Sequence, residues 1–169
     1  MADNQNISHS TIAPFLANVR EYCSYIEKSD WNNSDLFISA TYKNLVRLYN
    51  LALELPVIEF YKCYADTLEI QEKVLDNAFQ NIKNNIPFQY YWTELNPLDL
   101  NNSSTGTGDL IDDLFDIYKE LTLAITYYDE VDGYQEFGLW LFHLTFSTHW
   151  GDHCIDAIHV IHKYLAERD

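Results

Sequence analysis

Apolar residues recur every third or fourth position through most of this chain, a period that predicts α-helices. In the first segment Ile12, Phe15, Leu16, Val19, Cys23 and Ile26 form one stripe, with Ser10 or Thr11 as the expected N-cap and residues 1–9 as a flexible tail. A second helix is expected from Asp35 to about Leu55, with Leu36, Ala40, Leu45, Leu48, Leu51 and Leu55 inward, and Pro56 ends it by removing a backbone donor. The stretch 57–65 is aromatic without a period and reads as irregular. Asp66 and Glu69 have capping-box spacing ahead of a third helix through Val74, Leu75, Ala78, Phe79 and Ile82.

Residues 86–108 form the longest stretch without a helical period. Its first half, IPFQYYWTELNPLDL, carries too many rings for a solvated linker, and its second half, NNSSTGTG, reads as mobile. Large rings usually bury, so Tyr90, Tyr91 and Trp92 are expected to pack this loop down, with a ligand pocket as their alternative use. Thr107 is the expected cap of a fourth helix, Asp109 to Tyr128, and a fifth runs through Phe137 to Tyr164. The fifth is apolar on nearly all sides along its first half, which marks it as the central element. The fold expected is an all-α, single-domain bundle of about five helices over residues 10–169, with a long aromatic loop before the fourth.

Two polar lines interrupt this apolar pattern. On the fourth helix Asp109, Asp112, Asp113, Asp116 and Glu120 fall opposite the apolar arc. Carboxylates at Asp109 and Asp112 favour a helix N-terminus, but Asp116 and Glu120 lie too far along to be explained that way. On the fifth, His149, Asp152, His153, Asp156 and His159 fall opposite Trp150, Cys154, Ala157, Ile158 and Ile161. His and carboxylate side chains at i, i+3 and i+4 converge from one helix face on a single ion, and an acidic helix alongside brings Asp113 or Asp116 to complete the shell. Ordinary amphipathic exposure is the stronger explanation of both lines, since each lies opposite an apolar arc whereas metal sites in bundles project their ligands inward. His143, on the apolar side, reads as a core histidine, and His162 as exposed.

Charge narrows the partners. The chain has 26 acidic and 10 basic residues and a formal net charge of −16. Between Asn84 and His162 thirteen acids face a single base, Lys119. Such a field repels nucleic acid and anionic membranes; acidity by itself serves solubility before any partner, and the partner it suits is a basic protein. No GxSxG, GxGxxG or P-loop occurs, since TGTG at 105–108 lacks the lysine and a preceding strand. The three cysteines, Cys23, Cys63 and Cys154, are far apart and suit a reducing, cytoplasmic setting.

The leading expectation is therefore an acidic, non-catalytic interaction domain that meets a basic protein through Asp109, Asp112, Asp113, Asp116 and Glu120, with no cofactor. The alternative is a divalent-metal-binding protein or metal-dependent hydrolase using His149, Asp152, His153 and Asp156. The segments TGDLIDDLFDIYKEL (107–121) and HWGDHCIDAIHVIH (149–162), with FQYYWTELNP and EYCSYIE in matching order, resemble a bacterial helical family known only as a domain of unknown function. That resemblance implies one all-helical bacterial domain and brings no activity, cofactor or catalytic residue with it.

Overall fold

A computed structural model describes the backbone of residues 4–28, 33–60, 68–95, 98–99, 101 and 104–168, and side chains from residue 11 onward. Its elements are α1 (Asn4–Glu27), α2 (Ser34–Leu53), α3 (Glu72–Asn85), β1 (Tyr90–Glu94), β2 (Thr105–Asp109), α4 (Leu110–Glu130), α5 (Gln135–Thr145), a π turn (Phe146–Trp150) and α6 (Gly151–Ala166). The all-α architecture holds, with one small hairpin added. No helix among the described residues is long and apolar enough to cross a membrane.

The centre is α4, which packs against α1, α3, α5, α6 and β2. This corrects the expectation that the last helix is central: within α5 only Gly138 and Phe142 are buried, Phe137, Leu139, Trp140 and Leu141 are half-covered, and Leu144 is exposed. The apolar arc of α4 buries Leu110, Ile111, Leu114, Ile117, Tyr118, Leu121 and Ala124 against the α1 stripe, which adds Tyr22 to the residues its spacing selects. Rings fill much of the interior. Phe15 meets Phe142 edge-on with centroids 5.1 Å apart, and the Tyr22 hydroxyl is satisfied by donating to the Leu114 carbonyl at 3.1 Å. In α2 the inward positions are Phe37, Ile38, Leu45, Leu48 and Ala52, whereas Leu36 points out, 64% exposed, because the buried face is rotated by one residue.

Several boundaries move. Helix α1 starts at Asn4, so residues 4–9 continue the helix rather than fray, and neither Ser10 nor Thr11 is its cap. Asn33 caps α2, accepting from Asp35 N at 2.8 Å. Helix α3 starts at Glu72, after the Asp66–Glu69 spacing; Asp66 itself and Cys63 lie outside the described residues.

The hairpin is the main departure. Strands β1 and β2 pair antiparallel, with Tyr91 opposite Gly108 and Thr93 opposite Gly106. The TGTG run is therefore strand, and its glycines make room. A Cβ on Gly108 would lie 2.3–2.7 Å from the Tyr91 ring, and one on Gly106 would lie 2.7 Å from Leu95. Glycine thus lets the Tyr91 ring lie across the partner strand. Tyr90 and Trp92 face out, Trp92 79% exposed, so two of the three rings do not pack down.

Asp109 ends β2 and caps α4 in place of Thr107. Its Oδ1 accepts from Ile111 N at 3.0 Å and Asp112 N at 3.3 Å, and Gln89 donates to its Oδ2 at 2.7 Å. That cap fixes the start of α4, and with it the angular position of every acid along the helix.

Candidate metal centre

The two polar lines face each other. Helices α4 and α6 pack side by side, and the contact pairs their charged edges residue by residue. His153 Nδ1 lies 2.8 Å from Asp113 Oδ1, and His149 Nδ1 lies 2.5 Å from Glu120 Oε1. Asp113, only 6% exposed, also accepts a 2.5 Å hydrogen bond from the Tyr91 hydroxyl through its other oxygen. Asp116 Oδ2 stands 3.7 Å from His153 Nε2, while its Oδ1 pairs with Lys119 Nζ at 2.5 Å.

These partners assign the tautomers. Burial and the neighbouring Asp113 push the Tyr91 hydroxyl far above its ordinary range, so it remains a donor and Asp113 accepts. A carboxylate that accepts requires N–H at Nδ1 of His153, and Glu120 makes the same demand of His149. Both Nε2 atoms are left as lone-pair donors in the neutral rings. They lie 3.3 Å from each other. Two lone pairs so placed repel unless a cation stands between them. A proton satisfies that need: the Asp113 hydrogen bond, opposed by burial, raises the His153 pKa. A metal ion satisfies it equally. Two imidazole nitrogens on one tetrahedral ion, each about 2.0–2.1 Å from it, sit about 3.3–3.4 Å apart.

Among the described residues, the groups that bring ligand atoms within 4.8 Å of one another are Asp116, His149 and His153. Asp113 and Glu120 occupy the other place that such centres need, as carboxylates that hold the Nδ1 side of each ligating histidine. Of the residues named from sequence, His149 and His153 come together, Asp113 and Asp116 complete the arrangement, and Asp152 and Asp156 are not in it. Those two line a separate hollow with Thr93, Glu94, Leu95 and Ile155. Burial first, then Asp113 and Asp152, raises the Asp156 pKa. His143 is half-buried rather than core, and His159 and His162 are exposed.

Local chain geometry sets the histidines. The π turn at Phe146–Trp150 places His149 one extra residue along from α5, and π turns occur frequently at functional sites. Gly151 permits it: a Cβ there would lie 2.3 Å from the Phe146 carbonyl oxygen. Hydroxyls of Thr145, Ser147 and Thr148 donate to carbonyls four residues back, at 2.9, 3.0 and 2.9 Å, covering acceptors along the disturbed turn. Sequence spacing did not reveal Tyr91, Lys119, Gly108 or Gly151 as parts of this centre. The run of hydroxyl residues ending in glycine, STHWG, and the YYW/TGTG pairing are the signals that carry them.

The comparisons with known proteins agree on fold and carry no activity. A crystal structure of protein BF1032 from Bacteroides fragilis superposes with a TM-score of 0.74 at 18% identity, covering 91% of each chain. That likeness speaks for the fold alone. No curated protein matches the chain. The family model described as domain of unknown function DUF5063 matches residues 6–167, so this chain belongs to that family.

Proposed function

We propose that the protein binds a divalent first-row metal ion through His149 Nε2, His153 Nε2 and the Asp116 carboxylate. The observation that carries this reading is the facing pair of Nε2 atoms, 3.3 Å apart, each ring held from behind by an α4 carboxylate. Two nitrogens and one oxygen suit zinc, iron or manganese, and three protein ligands leave coordination positions open, the arrangement of a working rather than a purely structural ion. His149 is 46% exposed, so the open side reaches solvent. An ion there would polarise a bound carbonyl or lower the pKa of a bound water, which supports metal-assisted hydrolysis as the reaction class. A cytoplasmic setting fits this reading, since the described cysteines, Cys23 and Cys154, are unpaired.

The acidic line as a docking surface for a basic protein has less support. Asp113 is buried, and Asp116 and Glu120 are engaged by Lys119 and His149, which leaves Asp112 as the exposed acid of that line.

The test is elemental analysis of protein purified without a histidine tag, followed by thermal melts with added zinc, manganese or iron. Bound metal, or a melt raised by one ion and not in His153→Ala, supports the reading. Protein that carries no metal and shows no shift with any of the three ends it.

A further inference from the structure

Asp116 and Glu120 look two ways. Toward α6 they meet His153 and His149, and beside them on α4 stands Lys119, paired with Asp116 Oδ1 and lying 5.2 Å from the Phe115 ring centre. Lys119 and Glu120 also form the polar wall of a groove of about 350 Å³ whose other walls are chiefly Leu68, Ile70, Leu75 and Leu123, with exposed Glu69 at its margin. The polar wall of this apolar groove therefore consists of the residues that touch the proposed ligands. Lys119 is the single base between residues 84 and 162. An ammonium has three donors, so its bond to Asp116 leaves capacity for a second anion.

We propose that the groove takes the apolar tail of a medium-chain carboxylate whose head group bridges the metal ion and Lys119. This inference rests on the metal reading. The charge of the centre selects the head group. The ion and Lys119 are the cations that a head group would touch, which favours an anionic head, and in a chain whose net charge is already −16 a monoanion meets less repulsion than a dianionic phosphate. The four aliphatic walls select the tail.

The test uses zinc-loaded protein, its zinc affinity measured separately against a chromophoric chelator. Calorimetric titration with octanoate, acetate and octyltrimethylammonium compares the whole ligand, the head alone and a tail of opposite charge. Octanoate is expected to bind at least ~100-fold more tightly than acetate, since each buried methylene multiplies affinity several-fold. Octyltrimethylammonium is expected not to bind detectably. Lys119→Met, titrated in its fully zinc-loaded form, is expected to weaken octanoate about tenfold through the lost charged contact. Leu123→Gln is expected to weaken octanoate and leave acetate unchanged. Equal affinity for octanoate and acetate, or octanoate binding indifferent to Lys119→Met, overturns the inference. A protein that binds zinc and ignores octanoate overturns this inference alone, whereas one that fails to bind zinc overturns the metal reading beneath it.

Discussion

His149 and His153 hold their Nε2 atoms 3.3 Å apart, with ring centres 4.6 Å apart and planes at 81°. One helical turn separates them, so they share a face, but on an exposed face alone nothing fixes their rotamers. Here each ring is drawn back by a carboxylate on α4, Glu120 for His149 and Asp113 for His153, so their free nitrogens converge. The α4–α6 contact thus turns two amphipathic edges into one pair of inward-aimed ligands. A proton and a metal ion compete for the same place.

Single substitutions separate ligands from bystanders. His149→Ala and His153→Ala are expected to lose at least ~100-fold in zinc affinity, and Asp113→Asn, which removes the carboxylate behind His153, roughly 10–100-fold. Asp152→Asn is expected to stay within about twofold, because Asp152 is exposed and lines a different hollow. Competition titration against a chromophoric chelator measures all four. A loss at Asp152 as large as at His153 would return the site to the α6 face by itself.

Tyr91 and Gly108 are expected to behave as a unit. The ring crosses the glycine to reach buried Asp113, so Tyr91→Phe leaves that carboxylate short of a partner and costs about 1–3 kcal/mol. In a chain of this size that lowers Tm by about 2–12 °C. Gly108→Ala displaces the same ring and is expected to cost a similar amount in wild type and little in a Tyr91→Ala background. Thermal melts of wild type, Gly108→Ala, Tyr91→Ala and the double variant close the cycle. Additive losses would mean that the glycine serves the strand and not the ring.

Much of this arrangement was legible in the sequence. The period of three and four in Phe15 to Ile26 and in Leu110 to Ile125 places the α1 and α4 cores, since burial of an apolar stripe is dictated locally. The same step around the helix puts Asp113, Asp116 and Glu120 on one line, and His149 with His153 on another. Whether those lines meet is a matter of tertiary packing, which spacing along one helix does not contain. The hairpin escaped because Gly106 and Gly108 carry no side chains to alternate and have low strand propensity, so room for Tyr91 and Leu95 reads as low complexity. Leu36 was misplaced for a related reason: the true inward face of α2 includes polar Thr41 and Asn44, which an apolar stripe does not select.

Asp156 gives a pH signature apart from the ligands. Burial and the nearby Asp113 and Asp152 raise its pKa in the folded chain. A carboxyl raised above its unfolded value costs stability when ionised, and that cost disappears as the pH falls through the raised value. Asp156→Asn is therefore expected to melt slightly higher than wild type at pH 7–8, by less than about 1 kcal/mol because the group is partly solvated. The difference is expected to shrink toward zero as the pH approaches about 4. Melts of metal-free protein across that range measure it. A variant less stable than wild type at pH 7 would show that ionised Asp156 is held by favourable partners.

Gly151 tests whether the π turn sets the site. A Cβ there meets the Phe146 carbonyl oxygen at 2.3 Å, and that atom is backbone, with no rotamer to yield. Gly151→Ala must therefore shift the turn, at an expected cost of about 1–3 kcal/mol. His149 lies within the turn and His153 beyond it, so the shift changes the distance between their Nε2 atoms, and zinc affinity is expected to fall at least ~10-fold. Gly133→Ala is the matched control. Gly133 has φ of 78° with open space around its Cβ position, so alanine there costs about 1 kcal/mol through backbone strain while leaving the centre intact. Equal thermal losses with a metal defect confined to Gly151→Ala identify the π turn as the positioning device. A Gly151→Ala protein that is destabilised yet binds zinc like wild type assigns that glycine to packing alone, and places control of His149 with Glu120.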